Sequence, residues 1–296
     1  MLCAEDEEKK AAAGLTNLED MISVLHERVD SMRNMSSDKD VFGRPFQLPV
    51  DIEHKATVFS ACTTFSVAQP HMRSFWAASF AFGTSFFSVF APAALMPYLQ
   101  RAESGGGIEL TLEQINDSDA AAVGSTIIMR IVSGPLCEYY GARKTMAGLL
   151  LVGLPGIVWI MFVHDGPGLV GSRLIIGLSL ASFVACQVWC SQMFSKHVVG
   201  HANATAAGWG NMGAGITQLV MPHVMLGMLR ATGNQVDLSW RLSFLVPVVL
   251  QLFAVCFALS ARDLPDGNYR ELEALGYKQK PQLQSNKVEL TCRSLS

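Results

Sequence analysis

Arg130 is the charged residue with the most unusual surroundings, because it interrupts an apolar stretch over residues 119–139. In a helix it lies about eight residues, or ~12 Å, from the predicted cytosolic end of this stretch. An arginine near the bilayer centre costs at least ~2.5–3.5 kcal/mol on insertion scales, so it normally faces a cavity or a partner. Thr126 and Ser133 fall on the same helix face, which predicts a solvated path. The alternative is snorkelling of the guanidinium to the headgroups.

A second candidate for chemistry is the glycine-rich stretch 206–215, Ala-Ala-Gly-Trp-Gly-Asn-Met-Gly-Ala-Gly. Its four glycines, Gly208, Gly210, Gly213 and Gly215, predict a smooth surface that another helix or an anion can approach. Asn211 offers an amide donor inside the membrane and shares a helix face with Gly208 and Gly215. The competing interpretation is a generic packing helix.

The elements that must position these residues are apolar helices. A bilayer core of about 30 Å needs roughly 20 apolar residues per helix. Six stretches meet or approach that length, namely 75–99, 119–139, 146–163, 169–194, 198–229 and 242–261. The predicted fold class is therefore an all-α integral membrane protein with a six-helix bundle. Because transporters are commonly built from inverted three-helix repeats, two such repeats are a further hypothesis.

The composition supports a membrane body with polar ends. Half of the residues are hydrophobic and 16% are charged, whereas soluble domains carry about 25% charge. The predicted domains are a polar cytosolic region over 1–70, with a short amphipathic helix around 18–32, a transmembrane bundle over 71–265, and a polar tail over 266–296. No signal sequence is evident, since the first ~30 residues have no apolar stretch.

Several function classes have no support in the sequence. The net charge of −3 without a basic stripe argues against a nucleic-acid partner. The seven cysteines form no CxxC pair and no Cys/His metal spacing, so neither a metal nor a cofactor is predicted. A membrane enzyme would need a convergent nucleophile–base or metal-ligand set, and the apolar stretches show none, so we expect no catalytic residues.

The flanking charges predict the orientation of the bundle, because positive residues concentrate on cytosolic loops. With the N-terminus inside, the cytosolic side carries the larger positive set, His71, Arg73, Arg143, Lys144, Lys196 and Arg262. The opposite side carries Arg101, Arg230 and Arg241. Both termini are therefore predicted to be cytosolic.

Residues 134–144 read Gly-Pro-Leu-Cys-Glu-Tyr-Tyr-Gly-Ala-Arg-Lys. They resemble the major facilitator loop motif, Gly-x-Leu-x-Asp-x-x-Gly-x-Arg-Lys, with Glu138 in the place of the Asp. In this motif Gly134 would allow close helix approach, Gly141 would permit the turn, and Arg143 would pair with a carboxylate or cap a helix C-terminus. Arg173 and Gly177 match the Arg-x-x-x-Gly pattern of the same superfamily.

The stretch 206–215 resembles the nitrate signature of the nitrate/nitrite porter family. Further runs match that family's eukaryotic members in the same order: Pro-His-Met-Arg at 70–73, Phe-Val-Ala-Cys-Gln-Val-Trp at 183–189, Gly-Ile-Thr-Gln-Leu at 215–219 and Asp-Leu-Pro-Asp-Gly-Asn at 263–268. The resemblance covers roughly residues 65–270. It implies that Arg130 is the substrate-binding arginine, and the guanidinium fork matches planar nitrate with two parallel hydrogen bonds. Asn211 and Gly208 are the other predicted substrate-binding residues.

The resemblance implies transport of nitrate or nitrite, with protons as the co-ion, by a multi-pass protein of the plasma membrane. Its predicted partners are the anion, membrane lipid and, as in some plant relatives, a small single-span protein. Members of the superfamily have two six-helix halves. The sequence ends after the sixth stretch, so a truncated N-terminal half is expected; the alternatives are a half that dimerises or a short form with a regulatory or interaction role. No isolated acidic residue stands out as a proton carrier, and Glu138 is expected to be structural.

Overall fold

A computed structural model describes residues 39–101 and 105–276. These residues form six helices long and apolar enough to cross a membrane. We label them α1 (His71–Leu99), α2 (Leu112–Tyr140), α3 (Ala142–Ile160), α4 (Gly166–Met193), α5 (Val199–Ala231) and α6 (Val236–Ser260). A 3₁₀ turn at Ser179–Ala181 interrupts α4, and α6 is interrupted at Phe244. The helical membrane fold expected from the sequence is confirmed.

Local signals explain where the helices begin. The Thr111 hydroxyl accepts a hydrogen bond from the Gln114 N–H (3.3 Å), and the Gln114 side chain accepts one from the Thr111 N–H (3.0 Å). This capping box starts α2 seven residues before the apolar stretch read from the sequence. Asp165 caps α4 through the Gly168 N–H. Gly141 alone separates α2 from α3, with a φ of +89° that favours glycine.

The helices pack in a regular pattern of neighbours. α1 lies against α5 and α6, α4 lies against α2 and α3, α3 contacts α6, and α1 crosses α4 at the centre. An inverted relationship between the two sets of three helices stays a prediction.

Two apolar clusters fill the bundle, one towards each end. The first includes Phe75, Met146 and Trp189 at the end that carries the described termini, and the second includes Leu95 and Trp240 at the opposite end. Buried hydrogen bonds cross the middle. Gln251 of α6 accepts from Ser88 of α1 (2.6 Å) and donates to the Leu150 carbonyl of α3 (2.6 Å). In a bilayer such bonds tie helices together where the hydrophobic effect supplies little force.

Two helices are much less covered than the others. Only 28% of the most apolar window of α2 and 22% of that of α5 is buried, against 72% for α1. Their exposed side chains are large and apolar, as shown by Ile128 and Ile131 of α2 and by Leu219 and Leu226 of α5. These faces are therefore suited to lipid or to a second membrane protein.

The segment 39–60 packs onto the end of the bundle that carries the described termini. The buried Asp40 carboxylate pairs with Arg262 (2.8 Å), and His54 pairs with Asp266 (2.5 Å). The Ala56 N–H donates to the carbonyl of Met193 at the end of α4 (3.0 Å). This part of the predicted polar N-terminal region thus ties the ends of α4 and α6 together. The predicted amphipathic helix around 18–32 and the part of the polar tail over 277–296 lie outside the described residues.

Candidate functional site

Arg130 lies in the second half of α2 with an exposed side chain. Its guanidinium carbon stands 5.5 Å from the centroid of the Phe183 ring on α4. Among the residues that the structure describes, neither a carboxylate nor a hydrogen-bond acceptor contacts this guanidinium. Arg130 is therefore a cation inside a membrane-spanning helix, and no neighbouring anion of the described chain neutralises its charge.

Aromatic rings border the guanidinium on the α1 side. Phe183 contacts Phe82 of α1 at 5.4 Å between ring centroids, and Phe82 contacts Phe86 edge to face at 4.8 Å. Phe86 in turn stacks on Phe90 at 5.8 Å. The sequence analysis gave these rings no role, although Phe183 belongs to one of the runs that resemble the family. A row of phenylalanines in an apolar helix has no distinctive pattern, so only the contact with Arg130 identifies it.

The predicted polar face of α2 is not open along its length. Thr126 is buried, and its hydroxyl donates to the carbonyls of Ala122 (2.7 Å) and Gly177 (2.8 Å). Ser133 is buried as well and donates to the Arg130 carbonyl (2.9 Å). Both side chains are buried and both hydroxyls bond backbone carbonyls, so the prediction that they line a solvated path beside Arg130 is wrong.

The structure divides the glycines of α5 between two faces. Gly208, Asn211 and Gly215 are all exposed, and a Cβ atom at either of these two glycines would meet open space. Gly210 and Gly213 are buried against Phe82 and Gly83 of α1, where a Cβ atom would overlap the neighbouring helix. The close approach of another helix predicted for these glycines occurs at Gly210 and Gly213, which pack against α1, whereas Gly208 and Gly215 lie on the free face beside Asn211.

Arg173 joins three helices near the end of the bundle opposite to the described termini. It is 4% exposed and donates to the Val89 carbonyl of α1 and to the Asp119 carboxylate of α2. Gly177, one turn later, allows α2 to approach, because a Cβ atom there would overlap Ala122. Asp119 lies within the charged start of α2, where acidic residues are common, so its position in the sequence does not distinguish it.

The loop motif after α2 acts through Asp263, which follows α6. The Asp263 carboxylate accepts from the Arg143 backbone N–H (3.0 Å) and lies 3.5 Å from the Arg143 Nε, while Arg143 Nη1 donates to the Leu259 carbonyl (3.0 Å). Arg143 thus both pairs with a carboxylate and caps a helix C-terminus. Burial raises the pKa of Asp263, and the Arg143 guanidinium acts in the opposite direction.

The other members of the loop motif make fewer contacts. A Cβ atom at Gly141 would lie 2.9 Å from the Asp263 carboxylate, so only glycine fits this turn. Glu138 is exposed and makes no ion pair within the described part of the chain. A Cβ atom at Gly134 would meet open space, so no helix of the described chain uses this glycine for the close approach predicted from the sequence.

Comparison with known proteins places this arrangement in a family. The profile described as Major Facilitator Superfamily matches residues 73–287. The chain belongs to the major facilitator superfamily. This assignment covers all six spans, the α2–α3 loop motif and the Asp263 segment.

Relatives within the superfamily are described as nitrate transporters. The chain is 40% identical over 238 residues to "High affinity nitrate transporter 2.5" of Arabidopsis thaliana, covering 80% of this chain and 46% of the relative. It is 36% identical over 236 residues to "High-affinity nitrate transporter 2.3" of Oryza sativa, covering 79% and 44%. It is 35% identical over 241 residues to "Nitrate transporter 2.1" of Chlamydomonas reinhardtii, covering 81% and 42%. The chain therefore spans about half the length of the relatives it matches.

Proposed function

We propose that this chain forms one half of the path through which a plasma-membrane transporter moves nitrate, with nitrite as a second candidate, and that Arg130 binds the anion. The observation that carries the proposal is the guanidinium of Arg130, placed within a span, stacked near Phe183 and without an anionic partner in the described chain. A cation in this position is costly unless a cavity or a counter-charge stabilises it. A permeating anion supplies that counter-charge.

The shape of the site favours a flat anion. The guanidinium presents two parallel N–H donors in a rigid plane, which suits two oxygens of nitrate or nitrite. The ring of Phe183 borders it with apolar surface, and Phe82 packs against that ring. An anion that enters must lose part of its hydration shell. The free-energy cost of this loss is smallest for an anion whose single charge is spread over several oxygens. The names of the relatives support nitrate as the substrate.

Import of an anion into a negative-inside cell requires co-ions. Each elementary charge moved against the potential costs about 2.3 kcal/mol per 100 mV. We propose protons as the co-ion, with both termini in the cytosol. The Asn211 amide of α5 would be the second contact to the anion, since its side chain is exposed and makes no hydrogen bond within the described residues.

The uncovered faces of α2 and α5 would contact a second six-helix half, a second copy of the chain, or lipid. Gly208 and Gly215 lie on the α5 face and leave room for close approach of another helix. A small single-span partner, by contrast, rests on the family resemblance alone.

Nitrate uptake by proteoliposomes tests the proposal. One preparation contains the chain alone, and a second contains the chain together with the second half of one of the nitrate transporters it resembles. Uptake in the second preparation, abolished by Arg130→Ala and retained by a matched Arg230→Ala change at the exposed end of α5, is the expected result.

Two other outcomes would change the interpretation. Equal uptake by the chain alone would indicate that a second copy of this chain, and not a separate second half, completes the path. Full uptake by the Arg130→Ala protein would overturn the anion-binding role.

A further inference from the structure

The charged residues inside the spans differ in whether they have an oppositely charged partner. Away from the first and last two turns of the six spans, the described charged side chains are Asp119, Arg130 and Arg173. Arg173 is bonded to Asp119, whereas Arg130 has no anionic partner among the described residues. The pair contributes no net charge, so the net charge of the three residues is that of Arg130.

The two members of the pair differ in exposure. The Arg173 side chain is 5% exposed, while the Asp119 side chain is 52% exposed. The Arg173 guanidinium of α4 donates one hydrogen bond to the Asp119 carboxylate and another to the Val89 carbonyl of α1. The remaining Nε of Arg173 is buried without a hydrogen-bond partner. The buried cation therefore depends on a single carboxylate for its neutralisation, and that carboxylate stands at the surface of the bundle.

Asp119 and Arg130 lie along the same side of α2. They are eleven residues apart, which is about three turns and places them about 16 Å apart along the helix axis. The other described carboxylates near this end are all exposed and close to helix ends, namely Glu109, Glu113, Asp117, Asp165 and Asp237. Solvent and salt screen those groups far more than a pair held between helices.

We propose that Asp119 sets the anion affinity of this half by neutralising Arg173, so that Arg130 is the unmatched positive charge among the described residues inside the spans. This inference rests on the proposed function, in which nitrate binds at Arg130. With Asp119 ionised, the opposite charges of the pair nearly cancel at the position of the bound anion. Without its charge, Arg173 attracts the anion as an uncompensated cation.

The size of the effect follows from Coulomb's law. A unit charge about 16 Å away at an effective dielectric constant of about 20 changes the interaction by about 1 kcal/mol, or about fivefold in affinity. Coulomb attraction does not depend on the shape of the anion. Removal of the Asp119 charge is therefore expected to tighten nitrate and chloride binding by the same factor and to leave the ratio of the two affinities unchanged.

The test is calorimetric titration of potassium nitrate into the 296-residue chain in lipid nanodiscs, at constant ionic strength with gluconate as the balancing anion. Asp119→Asn keeps an oxygen that can accept from Arg173 while removing the charge, and Asp119→Ser serves as a second neutral variant. Asp119→Glu restores the charge. Asp117→Asn removes an equal charge from an exposed position on the same helix.

The expected result is a dissociation constant for nitrate about fivefold lower in both neutral variants, with an unchanged ratio of nitrate to chloride affinity. Asp119→Glu and Asp117→Asn should bind nitrate as the unchanged chain does. The role of Asp119 would be overturned if the neutral variants bound nitrate as tightly as the unchanged chain or more weakly. If Arg130→Ala abolished binding in the same experiment, the proposed function would remain intact. Failure of the unchanged chain to bind nitrate, both alone and joined to a second half, would overturn both the role of Asp119 and the proposed function.

Discussion

The buried carboxylate of Asp263 holds Arg143 by both its backbone and its side chain. The Arg143 N–H donates to one carboxylate oxygen at 3.0 Å, and the guanidinium Nε lies 3.5 Å from the other. The same guanidinium donates to the carbonyls of Leu259 and Ala261 at the end of α6. The first residues of α3 are thereby fixed to the segment that follows α6, although the two are far apart in the sequence.

Arg143→Gln should destabilise the chain by about 3 kcal/mol, because it leaves the buried Asp263 carboxylate without its cation. Arg143 counteracts the effect of burial on the pKa of Asp263, so its loss raises that pKa further. The variant should therefore be least stable at high pH and recover as the pH falls and Asp263 takes up a proton. Thermal unfolding in detergent at about pH 5 and about pH 8 measures this. The double variant with Asp263→Asn should lose the pH dependence; a deficit equal at both pH values would contradict the explanation.

Arg130→Lys should weaken nitrate binding about ten- to a hundredfold, although the charge is kept. A lysine ammonium is a point donor and cannot form two parallel hydrogen bonds to one anion. Calorimetry with the chain joined to a second half measures the affinity. Arg230→Lys, at the exposed end of α5, is the matched control. Near-native affinity and uptake in Arg130→Lys would show that the side chain reaches the headgroups instead of the substrate.

Asn211→Ala should weaken nitrate binding by about 1–3 kcal/mol if the exposed amide donates to the anion. The side chain makes no hydrogen bond within the described residues, so little stability should be lost. Asn116→Ala, at an exposed position early in α2, controls for the loss of an amide. An unchanged dissociation constant in Asn211→Ala would limit this residue to packing.

The two glycine faces of α5 should respond differently to the same substitution. Gly213→Leu should disrupt the packing of α5 against α1, because its Cβ atom would overlap the Gly83 carbonyl. Gly215→Leu should leave the bundle stable, since its Cβ atom meets open space, but should reduce association with a second half. Thermal unfolding and co-purification separate the two effects. Equal stability of both variants would contradict the packing of α1 on Gly213.

A cysteine at position 105, in a background without the native cysteines, should react with an impermeant thiol reagent added outside intact cells. The position lies between α1 and α2, at the end opposite to the described termini, which are predicted to be cytosolic. A cysteine at exposed Lys196, between α4 and α5, should react only after permeabilisation. The reverse pattern would invert the topology.

The sequence by itself determined the elements and their turns. Six apolar stretches predict six spans, because the length of a helix across a bilayer depends only on local hydropathy. The Gly141 turn and the basic residue Arg143 are likewise readable, since a positive φ and a helix-end charge are properties of a few neighbouring residues. The isolated position of Arg130 in an apolar stretch was also visible without any tertiary information.

Only the tertiary structure decided which faces are covered. The periodicity places Thr126 and Ser133 beside Arg130, but the packing of α4 buries the Thr126 hydroxyl against the Gly177 carbonyl. The sequence gives no sign of the ion pair between Asp119 and Arg173, because the two residues lie on different helices and meet only when α4 packs against α2. Helical spacing defines which residues of one helix share a face, whereas the burial and charge balance of that face depend on segments that are distant in sequence.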